Sequence, residues 1–255
     1  MQAAARLDLM LKALKTKQSL TLRDVMTLTG ASRDTARRDI IKLTATGAAN
    51  RNYGGLSLPN RFSRIDDYLT RQADQPTTKR QLGQLAATLA SGKQRLFLDV
   101  STTIGVIPQY LKVTAETLTV TNSIDIADQL LRQTPGQMRL LGGRYEAARR
   151  GTMDSAALHD LFGFQFDLTF LSAAGLTANG LFFAYQDDVP FKQQLRAQSQ
   201  TLVLVLDHTR LGVTHNYRGL TLDQIDYLVT DAPIESSLKQ ALETADVSIL
   251  YSTTN

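Results

Sequence analysis

From Thr78 onward, short apolar runs alternate with segments whose apolar residues recur at helical spacing, and no other feature restricts the possible folds of this 255-residue chain as strongly. Leu82, Leu85, Ala86 and Leu89 mark a helix ending at Gly92, followed by a strand over residues 95–99. Residues 102–111 read as a helix despite Pro108, 118–121 as a strand, 124–131 as a helix and 138–141 as a strand. The series continues with helices over 153–162 and 189–198 and strands over 167–171 and 201–206. It ends in a strand, a helix and a strand at 225–230, 234–242 and 247–251. Parallel strands need a crossover of a dozen or more residues, which a helix supplies. The expected class is therefore α/β, with a mostly parallel sheet covered on both faces.

Open sheets of this kind bind ligands beyond the carboxyl ends of their strands. Polar clusters fall at such ends: Asp99-Val100-Ser101-Thr102-Thr103, Thr121-Asn122-Ser123, Gly142-Gly143 and Asp207-His208-Thr209-Arg210. A hydroxyl-rich turn that opens a helix offers backbone N–H groups, side-chain hydroxyls and the positive end of the helix dipole, a combination suited to phosphate. Ser and Thr also cap helices without touching a ligand.

The first 58 residues have a different character. Leu7, Met10, Leu11 and Leu14 recur at helical spacing, and Thr21 can cap a second helix containing Val25, Met26 and Leu28 that closes at Gly30. Ser32 can cap a third, which runs without Gly or Pro to about Thr46 and stops at Gly47. Ala36, Ile40 and Leu43 lie within about 60° on its wheel, leaving Thr35, Arg37, Arg38, Ile41 and Lys42 on other faces. Arg51, Tyr53, Gly54 and Gly55 then form a basic, glycine-tipped ribbon. Helices, a tight turn, a basic helix and a hairpin make a winged helix-turn-helix.

Charge divides the chain in the same place. Residues 1–58 hold 10 Lys and Arg against 4 Asp and Glu, a net +6, whereas the remainder holds 18 against 20. A basic module joined to a nearly neutral one points to a polyanion partner for the first. The expected organisation is a DNA-binding domain over 1–58, a polar linker over 59–77 and an α/β domain over 78–255. The absence of cysteine excludes disulfides and thiolate zinc sites, and His159, His208 and His215 lack the spacing of a helical metal pair, so no metal or cofactor is expected. No apolar run approaches the ~18 residues of a membrane span and the first residues lack a signal-peptide segment, so a cytoplasmic protein is expected.

These residues resemble the DeoR family of bacterial transcriptional regulators. The likeness rests on Leu22-Arg23-Asp24-Val25, on Ser32 with Thr35-Ala36-Arg37-Arg38-Asp39-Ile40, on Leu43 and Gly47, and on Arg51-Asn52-Tyr53-Gly54-Gly55. Ala36 is smaller than usual in that family, and Tyr53 stands where His is common. The resemblance continues through the C-terminal part and implies that the α/β domain over 78–255 is an effector-sensing domain similar to the sugar-phosphate isomerase fold. Its D-x-G-T-T pattern corresponds to Asp99, Ser101, Thr102 and Thr103, with Ser in place of Gly. Thr121-Asn122-Ser123 and Gly142-Gly143 match further motifs, with Gly151 a later glycine of the pattern. The E-x-x-x-K pattern appears as Asp188 and Lys192, and D-x-S-K-x-G as Asp207, Thr209, Arg210 and Gly212.

The resemblance implies a repressor of a sugar-metabolism operon that is not an enzyme. Its expected partners are a double-stranded DNA operator, contacted through Ser32, Arg33, Thr35, Arg37, Arg38, Lys42, Arg51, Tyr53, Gly54 and Gly55, and a phosphorylated sugar. The sugar would be held by Asp99, Ser101, Thr102, Thr103, Asn122, Ser123, Gly142, Gly143, Asp188, Lys192, Asp207 and Arg210. Operators with two half-sites imply a homo-oligomer, a dimer or tetramer. The competing reading is a sugar-phosphate isomerase with an accessory DNA-binding module, in which Asp99, Asp188 and Lys192 supply acid–base groups. A third reading, in which the substitutions at 101, 188 and 210 leave the pocket vestigial, makes the chain a constitutive DNA binder.

Overall fold

The computed structural model describes residues 3–17, 19–46, 48–52, 55–57, 66–133 and 135–252. Contacts divide the chain into two compact units, residues 1–63 and 64–255. Among the described residues, no helix is long and apolar enough to cross a membrane.

The first unit contains α1 (Ala3–Lys17), β1 (Ser19–Thr21), α2 (Leu22–Thr29), α3 (Arg33–Ala45), β2 (Asn50–Asn52) and β3 (Gly55–Ser57). Thr21 and Asp24 form a capping box at the start of α2, and Gly30 closes it in the left-handed region at φ 65°. Ser32 caps α3, its Oγ accepting from the Thr35 N–H at 3.4 Å. Met10, Leu14, Val25, Ala36, Ile40 and Leu43 close a common core with Leu20 and Leu56 of the sheet. Inside it, the Arg6 guanidinium donates to both oxygens of Asp39, at 2.6 and 3.2 Å, so the buried Asp39 fastens α3 to α1.

The ribbon is three-stranded, in the antiparallel order β1-β3-β2, so the wing is completed by a strand ahead of α2 that periodicity did not reveal. This changes the reading of Gly55, expected at a ribbon tip near DNA. It is buried beside β1, where a Cβ would overlap the Leu20 carbonyl oxygen. Gly55→Ala is expected to pry β3 from β1 at a cost of about 1–3 kcal/mol. Faster amide exchange over residues 19–21 is the measurement that checks it. Gly47, Tyr53 and Gly54 lie outside the described residues.

The second unit opens with α4 (Tyr68–Ala73) and α5 (Pro76–Thr88). Much of the segment expected as linker is therefore folded: Tyr68 is buried, its N–H donates to Ala148 C=O at 3.1 Å, and Asp67 caps the helix through Thr70 N–H at 2.9 Å. Residues 59–65 of that stretch lie outside the described residues. There follow β4 (Arg95–Leu98), a 3₁₀ turn over Ile104–Tyr110, β5 (Leu118–Thr121), α6 (Ile124–Gln133) and β6 (Gln137–Leu140). The expected helix over 102–111 is 3₁₀ because Pro108 has no N–H for an α-helical bond. Then come β7 (Tyr145–Glu146), β8 (Gly151–Thr152), α7 (Ser155–Leu161), β9 (Phe166–Leu171), β10 (Gly175–Thr177), β11 (Gly180–Phe183), α8 (Asp188–Ala197) and β12 (Ser199–Val205). The chain ends with β13 (Tyr217–Leu220), β14 (Tyr227–Thr230), α9 (Ser236–Thr244) and β15 (Ser248–Tyr251).

Seven of these strands form one parallel sheet in the order β15-β14-β12-β9-β4-β5-β6. Its two faces alternate residue by residue. Leu96 and Leu98 join Leu82, Ile104 and Phe170 on one side, while Phe97 meets Phe166 and Phe191 on the other. The chain winds outward from β4 through β5 to β6, then returns to place β9 on the opposite side of β4. The direction of winding reverses between β4 and β9, which is where such sheets open a crevice. A small antiparallel sheet, β10-β11-β13, carries Phe183, whose following residues help to border that crevice.

Candidate functional site

The crevice lies beyond the carboxyl ends of β4, β9 and β12. The Asp99–Thr103 turn forms one wall, Ser172 and Asp207 follow the other two strands, and α8 with the loop before it adds Tyr185, Asp188 and Lys192. Ser101, Thr102 and Thr103 are all buried. Ser101 Oγ accepts from Thr103 N–H at 3.1 Å, and its carbonyl accepts from Gly105 N–H at 2.8 Å. The Ser101 side chain, where the family pattern has Gly, thus engages a backbone donor of the turn and brings a hydroxyl of its own.

The neighbouring Thr121-Asn122-Ser123 motif supports this turn from behind. Fully buried Asn122 accepts from Val100 N–H at 2.8 Å and donates to Thr152 C=O at 3.2 Å. Ser123 Oγ accepts from Ile126 N–H at 3.4 Å in the first turn of α6. Neither residue lines the crevice. Gly142 and Gly143 are likewise elsewhere, at the end of edge strand β6: Gly142 N–H donates to Asp160 at 3.2 Å, and Gly143 adopts φ 117° against the Asp154 carboxylate. These four expected effector residues are placed as scaffold. Asp99, Ser101, Thr102, Thr103, Asp188, Lys192, Asp207 and Arg210 are brought together.

Charge inside the crevice is dense and largely withheld from water. Asp188 and Lys192 stand one turn apart on α8, and the Lys192 ammonium donates to Asp99 in an ion pair with both side chains 2% exposed. Burial pushes the Asp99 carboxyl above the usual carboxylate range, with the Lys192 charge opposing the rise. Burial pushes Asp188 upward too, against the charges of Lys192 and Arg149. Arg149 approaches Asp188 to 3.5 Å, pairs with Glu146 at 3.0 Å and lies 3.6 Å over the Tyr185 ring. Asp188 Oδ1 and Arg149 Nη1 are buried yet hydrogen-bonded to no protein atom among the described residues. They are the two atoms of that 3.5 Å ion pair, so each faces the other's charge without a hydrogen bond.

Arg71, Lys79 and Arg149 line the crevice and were missed in the sequence, as was Tyr185. Arg71 sat in the supposed linker, and Arg149 in a loop without periodicity. Lys79 donates to Asp74 C=O at 2.6 Å and to Arg71 C=O, so it holds the end of α4. Asp207 accepts from Thr209 N–H at 2.9 Å and from its hydroxyl, opening the 3₁₀ turn that presents Arg210. Among the described residues no cluster of three or more His, Asp or Glu could hold a metal.

In the first unit, α3 buries Ala36, Asp39, Ile40 and Leu43 and exposes Arg33, Arg37, Arg38 and Lys42. Arg51 on β2 is exposed as well. Among the described residues none of these five is ion-paired with a carboxylate, so phosphate contact would break no existing pair. Ser32 and Thr35 are joined by a 3.0 Å hydroxyl contact at the start of the helix. Ile41, expected off the apolar face, is 49% exposed among the cations and offers an apolar surface of the kind that meets a thymine methyl.

Two domain families match the sequence: the DeoR-like helix-turn-helix domain over residues 6–62 and the DeoR C terminal sensor domain over residues 74–232. The HTH-type transcriptional repressor GlcR of Bacillus subtilis (strain 168) is 32% identical over 245 residues, covering 96% of this chain and 95% of that protein. The glycerol-3-phosphate regulon repressor of Escherichia coli (strain K12) is 27% identical over 213 residues, or 83% of this chain and 84% of that protein. The solved ribose 5-phosphate isomerase A of Methanocaldococcus jannaschii aligns at a TM-score of 0.37 with 12% identity, over 52% of this chain and 53% of the other.

Proposed function

This chain belongs to the DeoR family of transcriptional regulators, and on that premise we propose that it represses a sugar-metabolism operon under the control of a phosphorylated sugar bound in its C-terminal crevice. The observation that carries the reading is the crevice itself, at the switch point of a parallel sheet, where a buried hydroxyl-rich turn meets an array of cations and carboxylates. In this reading Ser101, Thr102, Thr103 and the cations bind phosphate, while Asp99 and Asp188 accept hydrogen bonds from sugar hydroxyls. Asn122, Ser123, Gly142 and Gly143 support the site without touching the ligand. Ser32, Arg33, Thr35, Arg37, Arg38, Lys42 and Arg51 face the operator, bound by a homodimer or tetramer in the cytoplasm. The name of the Escherichia coli relative, a glycerol-3-phosphate regulon repressor, supports the ligand class.

A ligand that prefers one of two conformations shifts their populations, and with them operator affinity. A sugar phosphate at about 100 times its dissociation constant is expected to stabilise the protein by roughly 2.7 kcal/mol. Thermal-shift measurement across a panel of sugar phosphates and their unphosphorylated sugars checks this. No shift with any member, together with operator binding unchanged by all of them, would overturn the sensor reading. We read the protein as non-catalytic, since its relatives are named as repressors. Turnover of a panel member by the full chain would establish the isomerase alternative.

A further inference from the structure

We propose that Arg71 and Arg210, with the ammonium of Lys79, clamp the effector's phosphate, and that this clamp makes α4 the element that responds to occupancy. The inference rests on the sensor reading and specifies how that site is wired. The cations of the crevice fall into two groups. On the α8 side, Lys192 is paired with Asp99, and Arg149 with Asp188 and Glu146. On the α4 side, among the described residues, Arg71, Lys79 and Arg210 form no ion pair with any carboxylate, although Asp74 and Asp207 border the same space.

The groups on that side are already oriented by neutral partners. Arg71 Nε donates to Asp66 C=O at 3.0 Å, which leaves the outer nitrogens of its fork, and its guanidinium sits 5.8 Å from the Tyr68 ring centre. Lys79 uses two of three donors on carbonyls of α4. Burial holds the Arg71 guanidinium below its ordinary value, and the charge of Arg210 lowers it further. Two like charges in one crevice, neither ion-paired with a carboxylate among the described residues, are a site in want of an anion. A phosphate dianion satisfies both guanidinium forks and removes their repulsion.

Occupancy would be felt first by α4. Its six residues are far too few to be stable as an isolated helix. The element depends on the Asp67 cap, the buried Tyr68, the Lys79 contacts and the bond to Ala148, followed by Gln75 at φ 47°. It is also the first helix of the second unit, where the chain coming from the DNA-binding unit enters. A ligand gripping Arg71 therefore stiffens the segment through which the two units are joined in sequence.

The test uses the full chain, with inorganic phosphate as probe, potassium chloride at matched ionic strength as control, and the sugar-phosphate panel in parallel. Phosphate is expected to slow amide exchange over residues 68–74 in the wild type and in Arg139→Gln, an exposed arginine on β6. In Arg71→Gln the phosphate affinity should fall at least tenfold and the slowing should vanish. Arg210→Gln should lose affinity to a similar degree without raising the basal exchange of α4, which guards against an Arg71 variant that merely unravels the helix. Wild-type phosphate affinity in either variant, or wild-type binding with no change over 68–74, would overturn the clamp while leaving the sensor reading intact. A wild-type protein that responds neither to phosphate nor to any sugar phosphate would overturn both.

Discussion

Lys192→Met is expected to lower the thermal midpoint of the C-terminal unit by roughly 6–20 °C at pH 8. The substitution keeps an unbranched chain of similar length but leaves Asp99, 1% exposed, without the cation that balances it. Breaking a buried pair on one side costs about 3–5 kcal/mol, and a unit of this size loses about 2–4 °C for each. The deficit should depend on pH in a defined direction. Burial already holds the Asp99 carboxyl above its ordinary value with Lys192 opposing, so removing Lys192 raises it further. A carboxyl whose folded value lies above its unfolded value takes up a proton on folding. That contribution is present at low pH and is lost as pH rises through the folded value. The wild-type and variant midpoints should therefore approach each other between pH 8 and pH 5. Adding Asp99→Asn to Lys192→Met should recover much of the loss, because the remaining amide carries no charge. A single variant within 2 °C of the wild type at pH 8 would show that the pair does not hold the two elements together.

Periodicity was sufficient for the elements of the parallel sheet because its inner strands are buried on both faces and the helices between them present one apolar face. Leu96, Phe97 and Leu98 form an apolar run since their side chains enter two different cores. Strand order was not available from the same signal. That β9 returns beside β4 follows from long-range packing, and with it the position of the crevice. The strands β1, β10, β11 and β13 were not found because they belong to small antiparallel sheets outside the strand–helix alternation. Helix α4 escaped for a different reason. Its anchoring depends on one buried side chain, Tyr68, and on a backbone bond to a loop 80 residues away.

The site shows the same division. The Asp99–Thr103 turn could be found because a hydroxyl cluster between a strand and a helix has a local meaning, and Asp188 and Lys192 because they matched a family pattern. Asn122 and Ser123 matched as well, but a motif does not distinguish a residue that holds a turn from one that lines it. Arg71 and Arg149 reach the crevice from loops and short helices, and no local spacing announces them. Asp39 belongs to the best-matching run of the helix-turn-helix yet points inward to Arg6, so a motif residue beside two DNA-facing arginines acts on the fold alone.

Arg37 and Arg38 provide the sharpest test of the N-terminal unit. Replacement of either by Ala is expected to weaken operator binding about 10–100-fold, the scale of a lost contact worth about 1–3 kcal/mol, while the thermal midpoint stays nearly unchanged. Stability should hold because both side chains are exposed and, among the described residues, neither is ion-paired, and because Ala is the better helix former at an exposed position. Salt dependence separates the two roles each arginine can play. Loss of a phosphate contact reduces the slope of log affinity against log salt by about 0.9 and weakens all sequences alike, whereas loss of a base contact relaxes preference at one operator position. The adjacent residues point about 100° apart on α3, so they need not share a role. An arginine whose removal lowers the midpoint but leaves operator affinity intact belongs to the fold, and the DNA-facing surface would then have to be drawn around Arg33, Ile41 and Lys42 instead.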